Sequence, residues 1–173
     1  MHTHVIFVPK LFISFIAHFN TFITLVKVFF TLITDSIFHH IPQAGDVVMC
    51  DSTGSLDRVN SKLFRMVCPS PAGALPLATV ILSVESLSSM TDAYSILKDL
   101  LPSTAFFNRG PTGPRIFITD DCEPEYRALL SVWPQATHYL CVWHVLEAVH
   151  RWILAGRNNI TNADDRKHLF KLF

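Results

Sequence analysis

Two short apolar runs, each ending in an aspartate, constrain this chain more than any other feature. They are Val47-Val-Met-Cys-Asp51 and Ile116-Phe-Ile-Thr-Asp120. In extended backbone successive side chains alternate faces, so Met49 and Asp51 share one side of a strand, as do Ile116, Ile118 and Asp120. Each run buries its strand and delivers a carboxylate at the C-terminal end. Two such ends side by side in a sheet set hard oxygen ligands within reach of Mg2+ or Mn2+, the arrangement that serves in-line phosphoryl transfer. A Cys-x-x-His, Cys141-Val-Trp-His144, follows one apolar run later.

The 173 residues are enough for one domain with a real core. Lys+Arg and Asp+Glu balance at 14 each. Overall charge therefore gives no argument for nucleic acid, and any such contact needs a local patch. Cys50, Cys68, Cys122 and Cys141 form no secreted-type framework, which points to a reducing intracellular compartment.

The N-terminal stretch differs from the rest. Residues 11–33 are mostly Leu, Ile, Val and Phe, interrupted by His18, Asn20 and Lys27. A bilayer crossing takes roughly 20 residues, but a mid-span lysine costs about 2.5–3.5 kcal/mol. The stretch is too long for a signal peptide and no small-residue cleavage site follows. Three readings stay open: a segment foreign to the domain, such as translated non-coding sequence; a membrane helix; or a buried or partner-binding helix. A helix or loose tail with few core contacts is expected. Ile41-Pro42-Gln43-Ala44-Gly45 closes the stretch, dividing the chain into an apolar extension, 1–44, and an α/β domain, 45–173.

From Gly45 the pattern is an orderly alternation. Strands at 45–51, 62–68 and 75–84, joined by short connections, read as an antiparallel meander. Ser89 with Asp92 resembles a capping box for a helix faced by Ala93, Tyr94, Ile96, Leu97, Leu100 and Leu101, stopped at Pro102. The strand ending at Asp120 leads to a helix with Tyr126, Leu129, Leu130 and Trp133 on one face, closed by Pro134. A strand at 138–142 then enters a helix with Val145, Leu146, Val149, Trp152 and Ile153 inward, ending near Gly156. The order β-β-β-α-β-α-β-α is the ribonuclease-H-like topology.

Several of these runs also resemble a family. Met-Cys-Asp51-Ser-Thr-Gly, Ala-Leu-Pro-Leu-Ala-Thr at 74–79, Ile-Thr-Asp120-Asp, Ala128-Leu129 with Trp133-Pro134-Gln-Ala136, and Cys141-Val-Trp-His144-Val are similar to the Mutator-like element (MULE) transposase domain over about 45–155. The resemblance implies a ribonuclease-H-like catalytic domain in which two aspartates and a glutamate bind divalent metal, cut DNA and join its strands. Asp51 and Asp120 match the first and second acids; Cys141 and His144 match the family's Cys-x-x-His. It further implies Mg2+ or Mn2+ as cofactor, DNA as partner and a nuclear location, or a membrane location if residues 11–33 are a genuine span. The third acid has no match. In the family it lies beyond a helical insertion, so the domain reads as truncated before the final catalytic helix: a transposase fragment, inactive alone. The alternative is a domesticated, transposase-derived DNA-associated regulatory or binding protein without catalysis.

Each residue also has a plainer reading. An aspartate at a strand end can be a turn former or helix cap, and Asp121 is assigned that role ahead of the helix at Cys122. Glu147 comes too soon after its strand for the family's glutamate, and Glu85 reads as a solvated loop acid. Cys141 and His144 read as a structural strand-to-helix element, as half of a zinc site completed by His138, His150, Cys122 or downstream residues, or as a Cys–His dyad lacking an oxyanion hole. Arg109, Arg115, Arg127, Arg151 and Arg157 are the cations available to a phosphate backbone.

Overall fold

The structure, a computed structural model, describes residues 2–8, 12–19, 24–30, 37, 39–54, 57–58 and 60–172. Strands β1 (His2–Val8), β2 (Phe12–Phe19) and β3 (Thr24–Phe30) come first. The alternating region follows as β4 (Val47–Thr53), β5 (Lys62–Ser70), β6 (Gly73–Leu82), α1 (Leu87–Leu100), β7 (Ile116–Thr119), α2 (Glu123–Val132), β8 (Thr137–Leu140), α3 (Val142–Leu154) and α4 (Ala163–Phe170). One mixed sheet holds the strands in the order β1-β2-β3-β6-β5-β4-β7-β8. β4, β5 and β6 make the expected antiparallel meander, and β7 lies parallel to β4. A parallel neighbour needs a long crossover, which α1 and the loop after it provide.

The N-terminal expectation is corrected. Where a helix or loose tail was expected, the described parts of 11–33 are antiparallel strands, and Val26–Phe29 pair with Leu82–Thr79 of β6. Runs of Ile, Val, Phe and Thr favour a pleated surface, and β6 offers an edge on which to add it. Asn20 lies outside the described residues. Among the described residues, no helix is long and apolar enough to cross a membrane.

The chain divides into two units, Met1–Tyr139 and Leu140–Phe173. In the first, α1 and α2 pack together: Lys98 Nζ donates to the Val132 carbonyl at 2.7 Å, and Tyr94 Oη donates to Glu125 Oε1 at 3.2 Å. Trp133 is fully buried among Tyr94, Phe106 and Phe117, with ring centroids 5.5–6.2 Å away. The loop before β7 reaches this indole through Gly113, at φ +76°, where a Cβ would stand 2.4 Å from the ring. Only glycine satisfies both conditions there. The cap of α1 is Ser86, whose Oγ accepts the Ser89 N–H at 3.2 Å, three residues earlier than expected.

In the second unit the inward face expected for α3 does not close. Ile153 is buried, whereas Val145 and Trp152 are exposed. An apolar stripe predicts a partner surface without supplying one, and α4, with Asn162 capping the Asp164 N–H at 2.8 Å, covers the stripe only in part.

Candidate metal centre

The parallel register of β4 and β7 runs toward the two aspartates. Val47 pairs with Ile116, Val48 with Phe117 and Met49 with Ile118, an offset of 69 residues that also separates Asp51 from Asp120. Carried two residues past the last pair, the same register would bring Asp51 and Asp120 to neighbouring positions, on strands about 4.8 Å apart. Alternation carried past Thr119 assigns them the same face. Val48, Cys50, Phe117 and Thr119 are buried on the opposite side, leaving Met49, Asp51, Ile118 and Asp120 on this one. Asp51 is exposed and Asp120 half-buried. The alternation of two four-residue runs is the local reason for the arrangement.

Asp120 has a second role. Its Oδ1 accepts the Cys122 N–H at 3.0 Å, tying the strand end to the start of α2. This corrects the assignment of that role to Asp121, which is exposed; an Asx turn reaches two residues ahead, and Asp120 stands two residues before Cys122. Thr119 braces the same junction: its hydroxyl donates to the Asp120 carbonyl at 2.6 Å and meets His138 Nε2 at 2.8 Å. The His138 ring stacks on Tyr126 at 4.6 Å, and its partial burial lowers its proton affinity.

Two residues join the neighbourhood that the sequence reading passed over. Arg65 is the cross-strand partner of Asp51 on β5 and is exposed. Glu125, on α2, is completely buried. Its Oε1 accepts from Tyr94, while Oε2 is buried without a hydrogen-bond partner. Burial first, then the negative charge of Asp120, with smaller effects from Asp51 and Glu85, raises its pKa to about 8, against the opposing effect of the Tyr94 hydroxyl. Burial likewise raises the Cys50 thiol and the Tyr94 phenol, and Glu125 adds to both. Glu125 was foreshadowed only by its place five residues after Asp120. Being near Asp120 in space depends on α2 starting immediately after β7.

The remaining candidates fall in both units. Glu85 is exposed, 3.9 Å from Lys62 Nζ, and accepts the Cys122 thiol at 3.6 Å. Burial pushes that thiol up to about 11, so it is protonated at neutral pH. Cys141 is the residue before α3 and His144 lies in its first turn, both half-buried, at the junction from β8 to α3. His150 packs edge-on against Phe170, with centroids at 5.5 Å. Among the described residues, no group of three or more His, Cys, Asp and Glu side chains is arranged to hold a metal ion. Of the five arginines, Arg109 donates to the Gly113 carbonyl, Arg115 lies 3.6 Å from Asp46, and Arg127 pairs with Glu123 at 3.0 Å. Those three have structural partners. No protein-family profile matches the chain, and no curated protein matches it either.

Proposed function

We propose that Asp51 and Asp120 bind a divalent cation, Mg2+ or Mn2+, and that the sheet from β4 to β8 is the ribonuclease-H-like core of a MULE-type transposase catalytic domain, whose family activity is DNA strand cleavage and transfer. The observation that carries the reading is the parallel pairing of β4 with β7, whose C-terminal ends lead to Asp51 and Asp120. The neighbour order β6-β5-β4-β7-β8 is that of a ribonuclease-H-like sheet, which supports it. The donor set suits a hard cation: two carboxylates in part-exposed positions, with water free to complete the shell. When bound, such an ion polarises a phosphoryl oxygen and lowers the pKa of attached water. The chain's own contribution is positional. Asp120 is fixed by the Cys122 amide and the Thr119–His138 contact, and Arg65, next to Asp51, supplies a cation for a phosphate oxygen.

Two carboxylates hold such an ion weakly, with a dissociation constant on the order of 0.1–1 mM. In Mn2+ titration of the full chain followed by electron paramagnetic resonance, Asp51→Ala and Asp120→Asn are each expected to weaken binding at least about tenfold. The asparagine retains an acceptor for the Cys122 amide, so the fold survives. Unchanged Mn2+ binding in both variants would sink the proposal. On DNA the full chain is expected to show no strand transfer, since in-line geometry needs both ions held firmly. DNA retention without cleavage would favour the non-catalytic binding role. Mn2+-dependent cleavage abolished by Asp51→Ala would demonstrate a third ligand.

A further inference from the structure

We propose that the groove between α3 and α4 is a docking site for an acidic amphipathic helix of a partner protein. The groove has a volume of about 610 Å3. Its floor is apolar, made by Trp143, Leu146, Ile153 and Phe170, and its α4 edge carries Lys167 and Lys171. Trp143 is 70% exposed, and Trp152 on the same helix is 53% exposed. Two helices that bury one large side chain between them present a continuous apolar surface, the kind that marks an interaction site on a folded chain. A third helix laid into the groove completes a three-helix packing unit and covers the floor.

Charge selects among occupants. Arg166, Lys167 and Lys171 line the groove against one acid, Glu147. Across Leu140–Phe173 five cations (Arg151, Arg157, Arg166, Lys167, Lys171) face three acids (Glu147, Asp164, Asp165). A second copy would bring cations onto the same edge and be repelled. A helix with Asp or Glu along one flank is attracted. Lys167 and Lys171 are four residues apart, about 6 Å along α4, so carboxylates at i and i+4 of the incoming helix match their spacing. Arg166 Nε donates to the Ile160 carbonyl at 2.7 Å, which fixes its chain beside the groove, and the His150 ring holds Phe170 edge-on in the floor.

The test uses the full chain and three fluorescein-labelled 18-residue peptides without tryptophan: a Leu/Ala helix with glutamates along one flank, the same helix with lysines there, and a scrambled acidic sequence. The acidic amphipathic peptide is expected to bind, by anisotropy, and to shift tryptophan emission. Phe170→Ala and the exposed pair Lys167→Glu/Lys171→Glu are each expected to weaken it by roughly tenfold, and the charge-reversed chain should then prefer the lysine peptide. Equal binding of the scrambled peptide would reduce the effect to bulk charge and overturn the proposal. So would equal binding of the lysine peptide by the unaltered chain, no binding at all, or sedimentation showing a dimer that Phe170→Ala dissociates.

Discussion

Glu125→Gln is expected to stabilise the fold at pH 8 and above by about 3–5 kcal/mol while leaving it nearly unchanged below pH 4. The sign follows from where the proton sits. The ordinary glutamate value is 4.5 and the folded value about 8. Between those limits the native chain keeps a proton that the unfolded chain releases. Stability therefore declines as pH rises through the window, by up to about 1.4 kcal/mol per unit, and the contribution is fully present only below the unfolded value. Glutamine keeps an oxygen for the Tyr94 hydroxyl and carries no charge at any pH. Its amide, like the protonated acid, leaves one buried polar group without a partner, so the two cancel in comparison at low pH. Urea unfolding followed by circular dichroism from pH 4 to 9 measures the difference. Parallel pH profiles for the two proteins would show that Glu125 titrates normally, which its complete burial and the nearby Asp120 charge oppose.

The buried glutamate also shows where sequence reasoning ran out. Alternation was enough to place β4 and β7 and to order the meander and crossover, because each rests on local periodicity of 2 or 3.6 residues. What escaped was set by register between segments far apart in sequence. Arg65 stands beside Asp51 only because β5 returns antiparallel with Met49 opposite Val67. Glu125 is buried only because α1 brings Tyr94 over it. Asp120 and Asp121 could not be told apart as helix-start acceptors, since the choice depends on where α2 begins. For the N-terminal stretch, apolar content was legible but its period was not: a run of Ile, Val and Phe suits helix and strand alike until a sheet edge is available. The stripe on α3 was legible and its covering was not. Periodicity specifies a face and says nothing of what lies on it, and the docking proposal for α3 and α4 begins from that gap.

Trp133→Ala is expected to cost about 3–5 kcal/mol, the range for removing a large core aromatic. The indole is fully buried and touches the rings of Tyr94, Phe106 and Phe117, so truncation leaves a cavity and removes three aromatic contacts at once. For a chain of this size that corresponds to a fall in Tm of about 10 °C. Trp133→Phe is expected to cost far less. Phenylalanine refills much of the volume, and the indole Nε1–H, buried without an acceptor, is removed with its desolvation penalty. Gly113 supplies the sharper test, because a Cβ there would lie 2.4 Å from the indole while also sitting at φ +76°. Gly113→Ala therefore meets two separate penalties in the wild-type chain, steric and conformational. In the Trp133→Ala background the clashes with the indole ring are gone, leaving the conformational penalty, on the order of 1 kcal/mol, and a milder contact at 3.1 Å with the retained Cβ. A double-mutant cycle by thermal unfolding is thus expected to show the combined loss falling short of the sum by about 1–2 kcal/mol. Strict additivity would mean that the loop before β7 does not rest on Trp133, and that Gly113 is required by backbone conformation alone.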